Sequence, residues 1–180
     1  MRARLARAAL LLPLVVACAE EVDPLDRDQL QDVARTQGDA VGRDFAGSYV
    51  VGGTRGECDC PSVDALEGTI LAGTDLCAAL GVSAPALVLE VFQEDGLLAF
   101  DLVGLLALFG GVNDDGTFTV AGLFDATTFL VPGDLLTRIE GRFVDHGIEA
   151  TIVNRMVSES ELGSVDCRAT STLKTPDVGP

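Results

Sequence analysis

The chain has 180 residues, of which 12 are lysine or arginine and 28 are aspartate or glutamate, so its formal net charge at pH 7 is −16. A nucleic-acid partner requires a basic surface, and this composition therefore excludes DNA and RNA. The length suits a single domain, and the acidity by itself indicates solubility.

The N-terminal residues have the pattern of a targeting segment. Arg2, Arg4 and Arg7 precede an apolar run, residues 8–17, and no acidic residue occurs before Glu20. The run is too short to cross a bilayer as a helix, and it ends in small residues, as a cleaved signal does. Residues 1–17 are therefore predicted to be a signal peptide. Its removal takes away three arginines and leaves a mature chain of charge −19.

Val15-Val16-Ala17-Cys18 resembles the lipobox of bacterial lipoproteins, although leucine is commoner than Val15 at the first position. The resemblance implies that Cys18 receives a diacylglyceryl group, that cleavage precedes it, and that the new amine is acylated, with palmitate as the expected label. Two or more acyl chains anchor a protein stably to a membrane. Ala19 stands where the family's inner-membrane retention signal has aspartate, which implies the outer membrane, facing the periplasm or the cell surface.

A plain secretory signal is the alternative interpretation. Ala17-Cys18-Ala19 is itself a small-x-small site, and cleavage after Ala19 releases a soluble protein. Both interpretations export the chain.

Residues 18–44 are predicted to be an acidic tether, part of which has a helical pattern. Asp23 suits a cap, Pro24 suits the first helical position, and Gly38 ends the pattern. Leu30 and Val33 lie on a weak apolar face, so the segment either docks on the domain or frays.

Without Cys18 the chain keeps an even set of cysteines: Cys58, Cys60, Cys77 and Cys167. In an oxidising compartment such a set predicts two disulfides. A bridge across one residue is discounted, which leaves two pairings open. We lean towards Cys60–Cys77 with Cys58–Cys167. Zinc is the competing interpretation, but the spacings do not match paired Cys-x-x-Cys knuckles, and no metal or cofactor is predicted.

From Phe45 the chain alternates apolar and polar residues, as half-buried antiparallel strands do. The segments "QEDGL" (93–97), "NDDGT" (113–117) and "VDHGI" (144–148) predict hairpin turns. A short helix is predicted from Thr74 to Leu80, before Gly81. The predicted strands lie near 46–53, 66–72, 86–93, 97–103, 105–112, 116–124, 126–131, 135–144, 147–157 and 164–172.

This pattern predicts an all-β fold over residues 45–173, followed by a disordered tail at 174–180. A single antiparallel up-and-down barrel is expected, with a β-sandwich as the alternative. The strand order resembles lipocalin-like barrels in architecture only, because the short sequence motifs of that family are absent. Residues 97–112 are apolar on both faces except at Asp101, as in strands covered on both sides.

No catalytic constellation is found, so we predict that the chain is not an enzyme. The single histidine, His146, falls in a predicted turn, and no nucleophile elbow or phosphate loop occurs. Two functions are consistent with an exported barrel. One is the binding of an apolar small molecule, and the other is a structural or protein-interaction role in the envelope without a ligand cavity. The candidate ligand-lining residues, for which plain core packing is the alternative, are Phe100, Phe118, Val120, Phe124, Ile139 and Phe143.

Overall fold

The structure is a computed structural model and describes residues 23–69, 71–102, 106–126, 133–145, 147–160 and 163–176. Residues 1–22 lie outside these ranges, and so do His146 and residues 177–180. The predictions for the signal peptide and for Cys18 therefore fall outside the described residues.

The closed antiparallel barrel is confirmed, but its strands number eight within the described residues and not the ten that were predicted. Each strand pairs with the next in the chain, and the last returns to pair with the first, so none of the described strands has an unpaired edge. The barrel is therefore of the up-and-down type and not a sandwich. The strands are β1 (Gly47–Asp59), β2 (Ala84–Glu94), β3 (Leu97–Leu102), β4 (Leu106–Val112), β5 (Thr117–Asp125), β6 (Asp134–Val144), β7 (Gly147–Ser160) and β8 (Gly163–Lys174).

Closure depends on β1, which continues six residues beyond its predicted end at residue 53. Residues 47–53 pair with β2, and residues 52–59 pair with β8. The register shifts between Val51 and Gly53 and again between Arg55 and Cys58. Such irregularities bend a strand and increase its twist, which lets β1 serve two neighbours in turn.

The barrel has two ends, which we call upper and lower. The upper end carries the connections β1–β2, β3–β4, β5–β6 and β7–β8, and the lower end carries the other three turns. At the lower end, residues 93–97 and 113–117 form hairpin turns, as predicted. In the first turn, however, Asp95 and not Gly96 adopts the positive φ of 53°. Aspartate tolerates this conformation better than most side chains do.

The N-terminal segment docks on the outer wall. Helix α1 (Arg27–Arg35) packs against β4, β5 and β6. Leu25 and Leu30 are buried beside Ala121 and Leu136. The cap is Asp26, whose carboxylate accepts from the backbone N–H of Asp28 at 2.9 Å, and not Asp23 as predicted.

A short helix, α2 (Leu76–Leu80), lies in the β1–β2 connection. It begins later than predicted, because Asp75 and not Thr74 caps it by accepting from the N–H of Ala78 at 2.9 Å. Gly81 ends it, as expected.

The predicted strand at 66–72 is wrong. Asp64–Leu66 is a 3-10 turn, and further turns follow, with positive φ at Gly68 and Gly73. Leu66 and Leu71 are buried from this turn segment, and their apolar character alone led to the prediction of a strand. Of the predicted strand 126–131, Ala126 is not in a strand, and residues 127–131 lie outside the described residues.

At the C-terminal end, β8 reaches Lys174, and the N–H of Thr175 donates to the carbonyl of Ile148. The folded domain therefore extends past its predicted boundary at residue 173.

Candidate ligand-binding site

Five of the six predicted ligand-lining residues lie in the lower and middle part of the barrel, and Phe124 lies near the upper end of β5. All are buried except Phe124, which is half-buried against the same cluster. The Phe100 and Phe118 rings are 5.0 Å apart, and each contacts the Phe143 ring, at 6.4 and 5.0 Å. This part of the interior is filled with side chains, as the core-packing interpretation expects.

Residues 38–45 close the lower end below these rings. Phe45 stacks on Phe143 with ring centroids 4.7 Å apart. The Gln93 side chain holds the segment in place, because its oxygen accepts from the N–H of Phe45 at 2.8 Å and its nitrogen donates to the carbonyl of Arg43 at 2.7 Å. The N–H of Gly38 donates to the carbonyl of Gly96 at 3.0 Å. These contacts close the interior of the barrel at this end.

The upper end contains an apolar pocket of about 490 Å³ beneath α2. One wall comes from α2 and the residues after it, including Leu76, Leu80 and Val82. The ends of the strands supply a second wall that includes Leu102, Leu106 and Leu135. Its floor is formed on β7 by Ile152, Asn154 and Met156. None of the six residues predicted from the sequence lines this pocket.

Asn154 connects the barrel floor to α2. The side chain is almost completely buried, and its Nδ2 donates to the carbonyl of Leu80 at 2.7 Å. Its Oδ1 accepts from the hydroxyl of the buried Thr137, also at 2.7 Å. Just after the helix, the N–H of Val82 donates to the hydroxyl of the buried Ser171 at 2.9 Å. Because a buried polar group is costly without a partner, these contacts fix the height of α2 above the floor.

Two disulfides crosslink the upper end of the barrel. The favoured prediction, Cys60–Cys77 with Cys58–Cys167, is wrong. The bridges are Cys58–Cys77, which we call the short-range bridge, and Cys60–Cys167, which we call the long-range bridge. The irregularity in β1 leaves Cys58 on the exposed surface, where it meets α2. The chain then turns after Asp59, and Cys60 reaches Cys167, which is fully buried on the inner face of β8. The sulfur atoms of Cys58 and Cys60 lie 3.2 Å apart, so sequence spacing does not reveal which of them reaches Cys77 and which reaches Cys167.

The sulfur atoms of Cys58, Cys60 and Cys77 lie within 4.8 Å of one another. This is the grouping that the zinc interpretation considered. In the structure all three are half-cystines, so none of them is a thiolate, which is the form of cysteine that binds zinc.

Charged side chains surround the pocket without entering it. Among the described lining residues none is ionisable, and only Thr74 and Asn154 carry polar side chains. Three acids, Asp75, Asp125 and Asp134, each directly precede a lining residue in the chain; Asp75 caps α2 and Asp134 forms an ion pair with Arg27. On the outer wall, Arg155 donates through Nε to Asp166 at 2.8 Å, and this hydrogen bond holds the pKa of Asp166 below its usual value.

The pocket was missed because its walls come from strand ends and from α2, where periodicity gives no information. One signal was present. On β7, Ile148, Ile152 and Met156 alternate as inward-facing apolar residues, and Asn154 interrupts them at an inward position. A polar residue in that register indicates a specific buried partner.

The chain matches no protein-family model, no curated protein and no solved structure. Within the described residues, no helix is both long and apolar enough to span a membrane.

Proposed function

We propose that this protein is a lipid-anchored lipoprotein of the cell envelope whose barrel binds an apolar small molecule in the pocket beneath α2. The observation that carries the binding role is the pocket itself, whose volume of about 490 Å³ and apolar lining are those of small-molecule sites. The residues of the lipobox, ending at Cys18, support the anchor, and the two disulfides agree with an oxidising compartment. No catalytic role is proposed.

The lining favours an uncharged ligand. Burying an isolated charge costs several kcal/mol unless an opposite charge pairs with it, and no such partner exists among the described lining residues. The amide of Asn154 is already engaged by Thr137 and Leu80. Most of the affinity therefore comes from the removal of apolar surface from water.

Two adjacent alanines of α2 give a matched test of the pocket. Both are exposed, but only Ala79 lines the pocket. The mature domain should bind N-phenyl-1-naphthylamine, an uncharged fluorescent probe, saturably and with one probe per chain. Ala79→Trp should fill the pocket mouth and weaken binding at least tenfold, whereas Ala78→Trp should stay within about twofold of wild type. Absence of saturable binding by wild type, or equal effects of the two variants, would refute the binding role.

The anchor is tested separately in cells. Radioactive palmitate should label the protein, and Cys18→Ser should abolish the label. A label that persists in Cys18→Ser would refute the lipoprotein assignment.

A second candidate function is protein interaction through the outer face of β2–β4. Phe92, Leu97 and Phe109 are between 42 and 59% exposed there, and Phe92 and Phe109 flank Ala99 in one row across the three strands. Exposed apolar patches of this kind mark interaction sites. A photo-crosslinking residue at position 109 should then capture an envelope protein in cells, whereas the same residue at position 114, on the lower turn, should not. Equal capture at both positions, or none, would remove this candidate.

A further inference from the structure

The N-terminal chain reaches the barrel at its upper end. The carboxylate of Asp23 accepts from Nη1 of Arg155 at 2.9 Å and lies 3.7 Å from Nη1 of Arg168. Arg27, the first residue of α1, forms an ion pair with Asp134, the first residue of β6. Because β6 begins at the upper end, α1 begins there as well.

Helix α1 then runs down the outer wall to the lower end. One turn beyond its last residue, the N–H of Gly38 donates to the carbonyl of Gly96 in the β2–β3 turn, and Ala40 donates to the carbonyl of Val112. The residues that precede Asp23 therefore connect to the end of the barrel that holds the pocket, and not to the closed end.

Little chain separates this point from the predicted lipidation site. From Cys18 to Asp23 there are five Cα–Cα steps, which reach at most about 17 Å. The eleven residues of β6 extend over about 36 Å, or about 28 Å along the axis of a barrel with ordinary strand tilt. The chain between Cys18 and Asp23 is thus shorter than the height of the barrel along its axis. A bilayer that holds Cys18 lies close to the pocket end.

We propose that the pocket takes up an uncharged single-chain lipid, of the class of long-chain alcohols and monoacylglycerols, directly from the bilayer that anchors the protein. This inference rests on the proposed function. The pocket volume, about 490 Å³, suits one chain, and none of the described lining residues has a cationic side chain that could pair with an anionic headgroup. With a charge of −19, the mature chain is also repelled by anionic membranes, so zwitterionic membranes are the preferred donors.

The orientation is tested with single tryptophans, because the chain contains none. The lipidated protein is reconstituted in phosphatidylcholine vesicles that carry a trace of dansyl-headgroup lipid. Energy transfer should be strong from Ala78→Trp at the upper end and several-fold weaker from Asp114→Trp at the lower end. Equal transfer, or stronger transfer from position 114, would overturn the inference.

Uptake is tested with two probes of equal length, a long-chain alcohol and the corresponding fatty acid, each with a terminal pyrene. Probe binding by soluble Cys18→Ser protein measures the pocket alone. The lipidated protein should acquire the alcohol from its own vesicles at least tenfold faster than the same concentration of the soluble variant does. A twenty-residue Gly/Ser insertion after Glu21 should abolish most of that advantage, whereas the same insertion after Pro176 should not.

The outcomes separate the two proposals. If the soluble variant binds neither probe, the pocket function fails and the inference falls with it. If the soluble variant binds the alcohol but anchoring gives no advantage, or the lengthened tether is as fast as wild type, the pocket function stands and the inference is refuted. Binding of the fatty acid as tight as that of the alcohol would overturn the assignment of an uncharged ligand.

Discussion

The contact between Asn154 and α2 should control the stability of the upper end. Asn154→Ala removes the hydrogen bond to the carbonyl of Leu80 and the one from the hydroxyl of Thr137, both of 2.7 Å. Thr137 is completely buried, and a buried polar group that loses its partner costs about 1–3 kcal/mol. The carbonyl of Leu80 borders the pocket, where water can replace the amide. We therefore expect the free energy of unfolding to fall by about 2–4 kcal/mol.

Urea unfolding, with both midpoint and slope fitted, measures this loss. Asn113→Ala is the matched control, because the Asn113 amide donates to Thr117 at 3.1 Å in an exposed turn, and its loss should cost less than about 0.5 kcal/mol. Hydrogen exchange should also accelerate at the N–H of Gly81, which donates to the carbonyl of Cys77 at the end of α2. A loss equal to that of the control, with exchange at Gly81 unchanged, would refute the role assigned to Asn154.

Three further predictions concern the barrel closure, the lower end and the outer wall. Replacing both cysteines of a bridge by alanine should lower the free energy of unfolding by about 5 kcal/mol for the long-range bridge and by about 3 kcal/mol for the short-range bridge. The difference follows from the sequence separations of 107 and 19 residues, because a longer closed loop restricts the unfolded chain more. Equal losses in urea unfolding would contradict this account. Gly96→Ala places a Cβ 2.0 Å from the carbonyl oxygen of Gly38 and should lower the free energy of unfolding by about 2 kcal/mol. Gly52→Ala, whose nearest contact is at 3.4 Å, should be nearly neutral in thermal unfolding. Equal effects of the two substitutions would refute the steric account. The lowered pKa of Asp166 means that its pairing with Arg155 stabilises the fold above the ordinary aspartate pKa, near 4, and loses that effect as pH falls through the lower folded-state value. Asp166→Asn should therefore cost up to about 1 kcal/mol at pH 7 and progressively less as the pH falls through the folded-state pKa. A loss independent of pH would contradict this prediction.

Period-two patterning predicted the central strands well, because it records which side of a strand faces the core. From β2 to β8, each of the seven described strands overlaps a predicted segment, with boundaries that shift by a few residues. The same reasoning failed at 66–72, where Leu66 and Leu71 are buried from turns. Alternation shows that a side chain is buried, but it does not show which backbone conformation buries it.

The sequence alone determined that this is an acidic antiparallel β protein with an even set of cysteines after Cys18, and the lipobox motif led us to predict an anchored, exported chain. Only the tertiary structure decided which cysteines pair, because the sulfur atoms of Cys58 and Cys60 lie only 3.2 Å apart and the positions of α2 and β8 beside them select the partner of each. It also decided which apolar residues fill the core and which border a pocket. Core residues and pocket residues are of the same apolar types and have the same spacing along the strands. They differ only in whether side chains from the opposite wall of the barrel pack against them. Phe100 meets other rings, whereas Leu106 faces open space beneath α2.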